Sequence, residues 1–291
     1  MAGRDELAVH SPVWVDGRLG AFPAPAKAIR RPGPGVFETL RFERGALFFV
    51  EPHLSRMQRG AERLGIPWPP PWDPRAALGE LAAALELPEA ALRLTLTLDR
   101  AGGPVTLSAV ARPIEPRPAA GVSVRSVSFR ARSAGRLAGI KTTRREPYDR
   151  ARAAARAAGA REALLVGRDG ELIEGAISNL FLVRGGELCT PPLASGCLPG
   201  IVRAALLTEL ERAPLSWPVI ERRLTLTDLQ LADEVFLTNS LVRSMAVVEV
   251  LGLKRPAAGL PGEAGAVARS VRDRLLELEA EQRWTVRRPP G

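Results

Sequence analysis

Short runs of two-residue periodicity alternate with longer runs of helical periodicity along this chain. VWVDGRLG (13–20) sets apolar positions either side of an Asp-Gly pair, which predicts a tight hairpin. VFETLRF (36–42), a turn at ERGA and LFFVEP (47–52) predict a second one. In PHLSRMQRGAERLGI (52–66), Leu54, Met57, Ala61 and Leu64 recur at helical spacing, with Pro52 suited to a first turn and Gly65 to a C-terminal cap. PWPPPWDP (67–74) reads as a rigid linker, and Asp73 with Pro74 opens a helix over 75–87. Strands are expected at 91–100 and 104–113, joined at Gly102 and Gly103.

The second half repeats these patterns. Alternation predicts a strand at 122–130, and an alanine-rich helix runs from Tyr148 to Ala158, closed by Gly159. Hairpins are expected from 162–167 with 171–175, and from 177–183 with 187–191. A helix at 200–213, a strand at 219–225 and a short helix at 227–232 capped by Thr227 follow. Strands at 234–240 and 245–252 and a long helix near 263–281 close the order. This is an α+β pattern. ARPIEPRPAAG (111–121) looks like a connector, so the expected organisation is a small domain at 1–112, a linker at 113–120 and a larger domain at 121–291.

Composition narrows the classes. At 46% hydrophobic and 25% charged residues the chain reads as an ordinary globular protein. No apolar run approaches the ~20 residues of a membrane helix, and MAGRDELAVH does not read as a signal peptide, so a cytoplasmic protein is expected. Cys189 and Cys197 could form a disulfide, but without an export signal they are expected to be free thiols. Their spacing fits no zinc pattern and histidine is nearly absent, so no metal is expected. A net charge of +9, concentrated over 125–161, raises nucleic-acid binding as a rival reading. Aromatic content of 5% leaves little for base stacking, and the arginine-biased composition gives the charge without a polyanion partner.

The charge also singles out one residue. Of 41 basic residues only Lys27, Lys141 and Lys254 are lysines; the remaining 38 are arginines. Arginine stays protonated, whereas a lysine in a suitable pocket can lose its proton and attack a carbonyl. Lys141, which persists inside an arginine-rich stretch, is the candidate. Glu174 lies at a strand end beside a small Gly-Ala turn, and LPGIVRAALL places the amides of Ile201 and Val202 at a helix start, where phosphate binds.

Six motifs in order, GVFETLR, HLSRMQRGAERLGI, KTTRREPY, IEGAISNLFLV, LPGIVR and FLTNSL, resemble class IV pyridoxal-phosphate enzymes over roughly residues 13–255. The family includes branched-chain aminotransferases, D-amino-acid aminotransferases and 4-amino-4-deoxychorismate lyases. The resemblance implies a two-domain fold type IV enzyme, with a small N-terminal α/β domain, a larger domain carrying a mixed sheet or barrel, and a homodimer as the assembly. It implies that Lys141 carries pyridoxal 5'-phosphate covalently and moves protons on the substrate carbon. Glu174 resembles the carboxylate on the pyridine nitrogen, and Arg56 the arginine on the phosphate. The amides of Ile201 and Val202 and the Ser240 hydroxyl resemble the rest of the phosphate cup, and Asn179 a support for Glu174.

Within the family, FLTNSL, GVFETLR and Arg145, four residues after Lys141, favour a lyase that converts aminodeoxychorismate to 4-aminobenzoate and pyruvate in folate precursor synthesis. The alternative is an aminotransferase acting on branched-chain or D-amino acids. Arg93, Arg145 and Asn239 are the candidate contacts to the small-molecule substrate; Arg93 reads equally as an outward strand residue and Arg145 as a solvated charge. Three departures bear on substrate identity: RRPGPG (30–35) lacks the usual acid, Arg144 stands where an asparagine is usual, and the Ala-Val pair at 246–247 replaces Pro-Val.

Overall fold

The computed structural model describes residues 12–21, 34–68, 70–98, 103–116, 118–129, 137, 139–212, 217–253 and 260–286. Most of the 21–35 loop, Gly102, Lys27 and Lys254 lie outside the described residues. Two compact units emerge. One comprises Met1–Glu115, Ile140–Arg144 and Glu279–Gly291; the other comprises Pro116–Gly139 and Arg145–Leu278.

The first unit is an antiparallel sheet covered by two helices. Its strands are β1 (Pro12–Val15), β2 (Arg18–Ala21), β3 (Gly35–Glu43), β4 (Ala46–Phe48), β5 (Glu89–Leu98), β6 (Val105–Arg112) and β15 (Arg283–Thr285), in the order β15-β4-β3-β5-β6-β1-β2. Alternation sends Val36, Leu40 and Phe42 of β3 and Leu92, Leu94 and Leu96 of β5 into one core with Trp14, Met57, Leu78 and Leu81. Truncating a buried leucine here to alanine costs about 2–5 kcal/mol.

Helix α1 (Val50–Leu64) starts inside the segment 47–52 expected as strand. Phe49 takes a left-handed conformation (φ 55), which turns the chain out of β4 straight into the helix. Gly65 ends it as expected, its N–H reaching the carbonyls of Ala61 and Glu62 at φ 68. Asp73 caps α2 (Pro74–Ala83) by accepting the Arg75 amide. Strand β15 was not expected. Its Trp284 lies 3.2 Å from where a Cβ at Gly79 would sit, with the Arg75 guanidinium 5.5 Å from its ring.

The second unit is a mixed sheet. It holds β7 (Val122–Ser128), β8 (Glu162–Val166), β9 (Leu172–Gly175), β10 (Asn179–Arg184), β11 (Glu187–Thr190), β12 (Val219–Glu221), β13 (Glu234–Asn239) and β14 (Arg243–Leu251), ordered β12-β11-β10-β13-β14-β7-β8-β9. The pairs β11–β12, β14–β7 and β7–β8 are parallel. Parallel neighbours need a crossover, and α3 (Glu146–Ala157) lies in the one between β7 and β8. Helices α4 (Ile201–Arg212), α5 (Leu226–Gln230) and α6 (Ala266–Glu281) complete the order.

Two local expectations shift. The strand expected at 219–225 stops at Glu221, and α5 is capped by Thr225 rather than Thr227. The Thr225 hydroxyl accepts the Asp228 amide while the Asp228 carboxylate accepts the Thr225 amide, a reciprocal capping box that pulls Thr225 out of the strand. Both cysteines are buried free thiols. Among the described residues no helix is long and apolar enough to cross a membrane. The architecture is the expected α+β fold.

Candidate active site

In the first unit the site is built on an open strand edge. β4 pairs only with Phe42 and Glu43 of β3, leaving the first half of β3 unpaired on that side. The segment around Lys141 fills the gap: Phe37 N–H donates to the Lys141 carbonyl at 2.9 Å, and Thr143 N–H donates to the Gly35 carbonyl at 2.9 Å. Thr142 bridges Val36 antiparallel, which sets Lys141 beside Phe37, and Phe37 in turn faces Thr95 of β5. Lys141 Nζ lies 4.9 Å from the Phe37 ring centroid, and the Arg93 guanidinium lies 3.8 Å from the same centroid. Arg93 is therefore not an isolated outward residue; it shares a ring, and a face of the sheet, with Lys141. Gly60 lets α1 come close, since a Cβ there would sit 3.0 Å from Val36 Cγ1 and 3.3 Å from Ile140 Cγ2.

Arg56 is fixed from the other face of β3. Glu38 is fully buried and accepts Arg56 Nε at 2.8 Å, Arg56 Nη2 at 2.6 Å and His53 Nδ1 at 2.7 Å. The two bonds from Arg56 set the plane of its guanidinium. Burial raises the Glu38 pKa, but the Arg56 charge and the bonds from Arg56 and His53 outweigh it and hold the carboxyl at about 2. Burial pushes the His53 pKa down, the Glu38 contact opposes this, and the charges of Arg56 and Lys141 add to the fall. His53 is thus neutral, and because Glu38 only accepts, its proton sits on Nδ1.

In the second unit Glu174 is buried at the end of β9. Its Oε2 accepts the Leu198 amide at 3.0 Å and Asn179 Nδ2 at 3.3 Å. Asn179 Nδ2 also donates to the Leu198 carbonyl at 2.9 Å. These bonds tie Glu174 to the segment leading into α4, which opens at Ile201 and Val202, both buried. Gly200 makes the approach possible: a Cβ there would fall 1.8 Å from Asn179 Oδ1. First-turn amides lie outside a helix's own ladder, so the start of α4 offers donors beside this carboxylate.

Arg145 donates from Nη2 to the Ala176 carbonyl at 2.7 Å, in the turn just after Glu174, and its guanidinium lies 5.1 Å from the Tyr148 ring centroid. The Tyr148 ring packs on Phe129, centroids 4.8 Å apart. Burial, with the charge of Glu174 and against that of Arg145, pushes the phenol up to about 12, so it remains a neutral hydroxyl. Asn239 accepts the amides of Leu241 and Val242 on Oδ1 at 2.9 and 3.0 Å and donates to the Ile177 carbonyl at 3.2 Å. Its amide shapes the β13–β14 turn, in which Ser240 is half-buried.

Sequence reasoning did not single out Glu38, His53 or Tyr148, and it marked Gly200 only as the glycine of a helix start. A signal existed for two of them. Glu38 is a carboxylate on the apolar face of VFETL, and His53 stands three residues before Arg56, on the same side of α1.

The family model for Amino-transferase class IV matches residues 35–250. A Methanocaldococcus jannaschii protein, assigned provisionally as a branched-chain-amino-acid aminotransferase, is 31% identical over 231 residues, covering 76% of this chain and 80% of that protein. The branched-chain-amino-acid aminotransferase of Escherichia coli is 34% identical over 133 residues, 45% of this chain and 41% of that enzyme. Among solved structures, the branched-chain aminotransferase of Thermoproteus uzoniensis with norvaline superposes with a TM-score of 0.81 at 25% identity, covering 95% of this chain and 99% of that one.

These relatives overturn the lyase expectation, and with it the link to folate precursors. Two features behind that reading have local contacts within the protein: Arg145 bonds the Ala176 carbonyl, pairs with Asp149 and lies by Tyr148, and Asn239 bonds backbone groups of its own turn and of Ile177. Neither distinguishes a lyase from a transaminase. With the family match spanning most of the chain, and a fold shared with solved aminotransferases over nearly its whole length, the chain belongs to the class IV aminotransferase family and is an enzyme of fold type IV.

Proposed function

We propose that this enzyme is a pyridoxal-phosphate-dependent aminotransferase that takes the amino group from a branched-chain amino acid and passes it to a keto acid. The observation that carries the reading is Lys141 and Arg93 beside one ring: an amine for the chemistry and a cation for a substrate carboxylate both approach Phe37. The residues fit the cofactor by donor chemistry. Lys141 offers an amine to an aldehyde and Glu174 a carboxylate to a ring nitrogen. Arg56, Ser240 and the amides of Ile201 and Val202 offer donors to a phosphate. When bound, pyridoxal phosphate supplies an electron-accepting ring that stabilises negative charge on the substrate α carbon.

The protein's own groups do the rest. Lys141 moves the proton at the α carbon, and Glu174, oriented by Asn179 and the Leu198 amide, keeps the ring nitrogen protonated. Glu38 holds Arg56 in one plane, so the phosphate donor is pre-organised. Arg93 holds a carboxylate. A homodimer in the cytoplasm is part of this reading, and light scattering of the purified enzyme tests the assembly.

The test is a donor panel. Enzyme loaded with cofactor is given leucine, isoleucine, valine or D-alanine with 2-oxoglutarate, and glutamate is measured. Glutamate from the three branched-chain donors supports the reading, and glutamate from D-alanine alone rejects the substrate assignment. Arg93→Met is expected to raise KM for the acids with a smaller change in kcat, as loss of a binding contact does.

A further inference from the structure

The buried carboxyl of Glu162 has no part in the function proposed above. It opens β8, is 1% exposed, and lies against the Gly175–Ser178 turn. Its Cγ is 3.4 Å from where a Cβ at Gly175 would sit, and Ser178 Oγ is 3.5 Å from its Oε2. That turn joins Glu174 to Asn179, whose side chains meet at 3.3 Å. Its other oxygen accepts the Ala163 amide at 2.9 Å.

The charged groups facing Glu162 are Arg152 on α3 and Arg145 just before it, and the Ala176 amide faces it from the turn. β7 sets apolar Val124 opposite it, and the titratable residue on β9 is Glu174, opposite Leu165. Arg152 Nε is buried and has no hydrogen-bond partner among the described residues. That N–H is therefore available to a Glu162 carboxylate that has shed its proton. Burial dominates over the two cations and the amides and lifts the pKa to about 7.

We propose that Glu162 is a positioning residue for Glu174: its neutral carboxyl seats the Gly175–Ser178 turn, and loss of its proton to solvent draws it to Arg152 and loosens that turn. The inference rests on the reading of Glu174 as the cofactor's carboxylate. The sign of the pH effect follows from the raised pKa. The folded state holds the proton more tightly than the unfolded chain, so this stabilisation is full below about 4.5 and lost as pH rises through about 7.

The experiment follows thermal unfolding and pyridoxal-phosphate dissociation of the holoenzyme from acid to alkaline pH, in wild type, Glu162→Gln and Arg152→Met. In wild type the melting temperature falls as pH rises from about 4.5 to about 7, and cofactor binding weakens several-fold as pH crosses neutrality. Both dependences flatten in Glu162→Gln, and both move to higher pH in Arg152→Met, which lacks the counter-charge. A Glu162→Gln profile that follows wild type overturns the proposal. So does a variant that loses the melting transition but keeps the pH dependence of cofactor binding, because the role is then only structural. If Glu162→Gln does not fold, unshifted transitions in Arg152→Met overturn it equally. Absence of cofactor binding at every pH refutes the reading of Glu174 and the positioning role with it, even while the melting curves still report the Glu162 titration.

Discussion

Glu38 shows how one buried side chain can set both stability and the geometry of a binding group. Its carboxylate meets Arg56 twice and His53 once, with no exposure to solvent. Glu38→Gln removes the charge that compensates a buried guanidinium, and such losses cost about 3–5 kcal/mol. A drop of that size in denaturant unfolding, together with weaker cofactor binding, is the expected outcome. The pH dependence has the opposite sign to that of Glu162. With the Glu38 pKa lowered from 4.5 to about 2, its contribution is present above 4.5 and lost as pH falls toward 2. Acid unfolding of wild type should therefore lose about 3 kcal/mol over that window, and the Gln variant should show a shallower slope. At this scale scarcity in the sequence marked Lys141, one of three lysines, as a candidate. Glu38 and His53 left a signal in the sequence, but a carboxylate on a core face is intelligible only once its partner on another element is in view.

Elements met their expected positions where the local pattern was strong and slipped where two patterns overlapped. The β5 and β6 strands and α4 lie within a few residues of expectation. VIERRLTLTDLQ carries both strand alternation and two threonines that could cap a helix, and the Thr225–Asp228 box decided between them. Thr225→Val is expected to cost about 1 kcal/mol, read as a lowered denaturation midpoint. The start of α4 carries a sharper prediction. In Gly200→Ala the new methyl would meet Asn179 Oδ1 at 1.8 Å, so Asn179 must move off the Leu198 carbonyl and Glu174. The overpacking costs about 1–3 kcal/mol, and cofactor affinity should fall with it, as absorbance titration would show. The glycine itself was visible in LPGIVR; its reason, close approach to an asparagine from another strand, was not.

At the scale of the whole molecule, local periodicity does not report which distant segments pair. The α+β class followed from the element order. The docking of residues 140–143 on β3 did not, because a short segment with two cross-strand bonds has no period of its own. The return of the C-terminal chain as β15 was likewise invisible: RWT pairs with β4 across more than two hundred residues. Trp284→Ala, which strips the ring from Gly79 and Arg75, should lower stability by about 2 kcal/mol in chemical denaturation. Assigning the chemistry needed both ordered motifs and relatives, since motifs shared by the whole family located the candidate residues without separating lyase from transaminase. The most direct test of the account is a pair of half-reactions on cofactor-loaded wild type and Lys141→Ala. In wild type, leucine should shift the absorbance of the bound cofactor and release its keto acid, and 2-oxoglutarate should restore the spectrum; Lys141→Ala should do neither at a comparable rate. A wild-type spectrum indifferent to leucine, isoleucine and valine, or a Lys141→Ala variant that cycles as fast as wild type, would contradict the account.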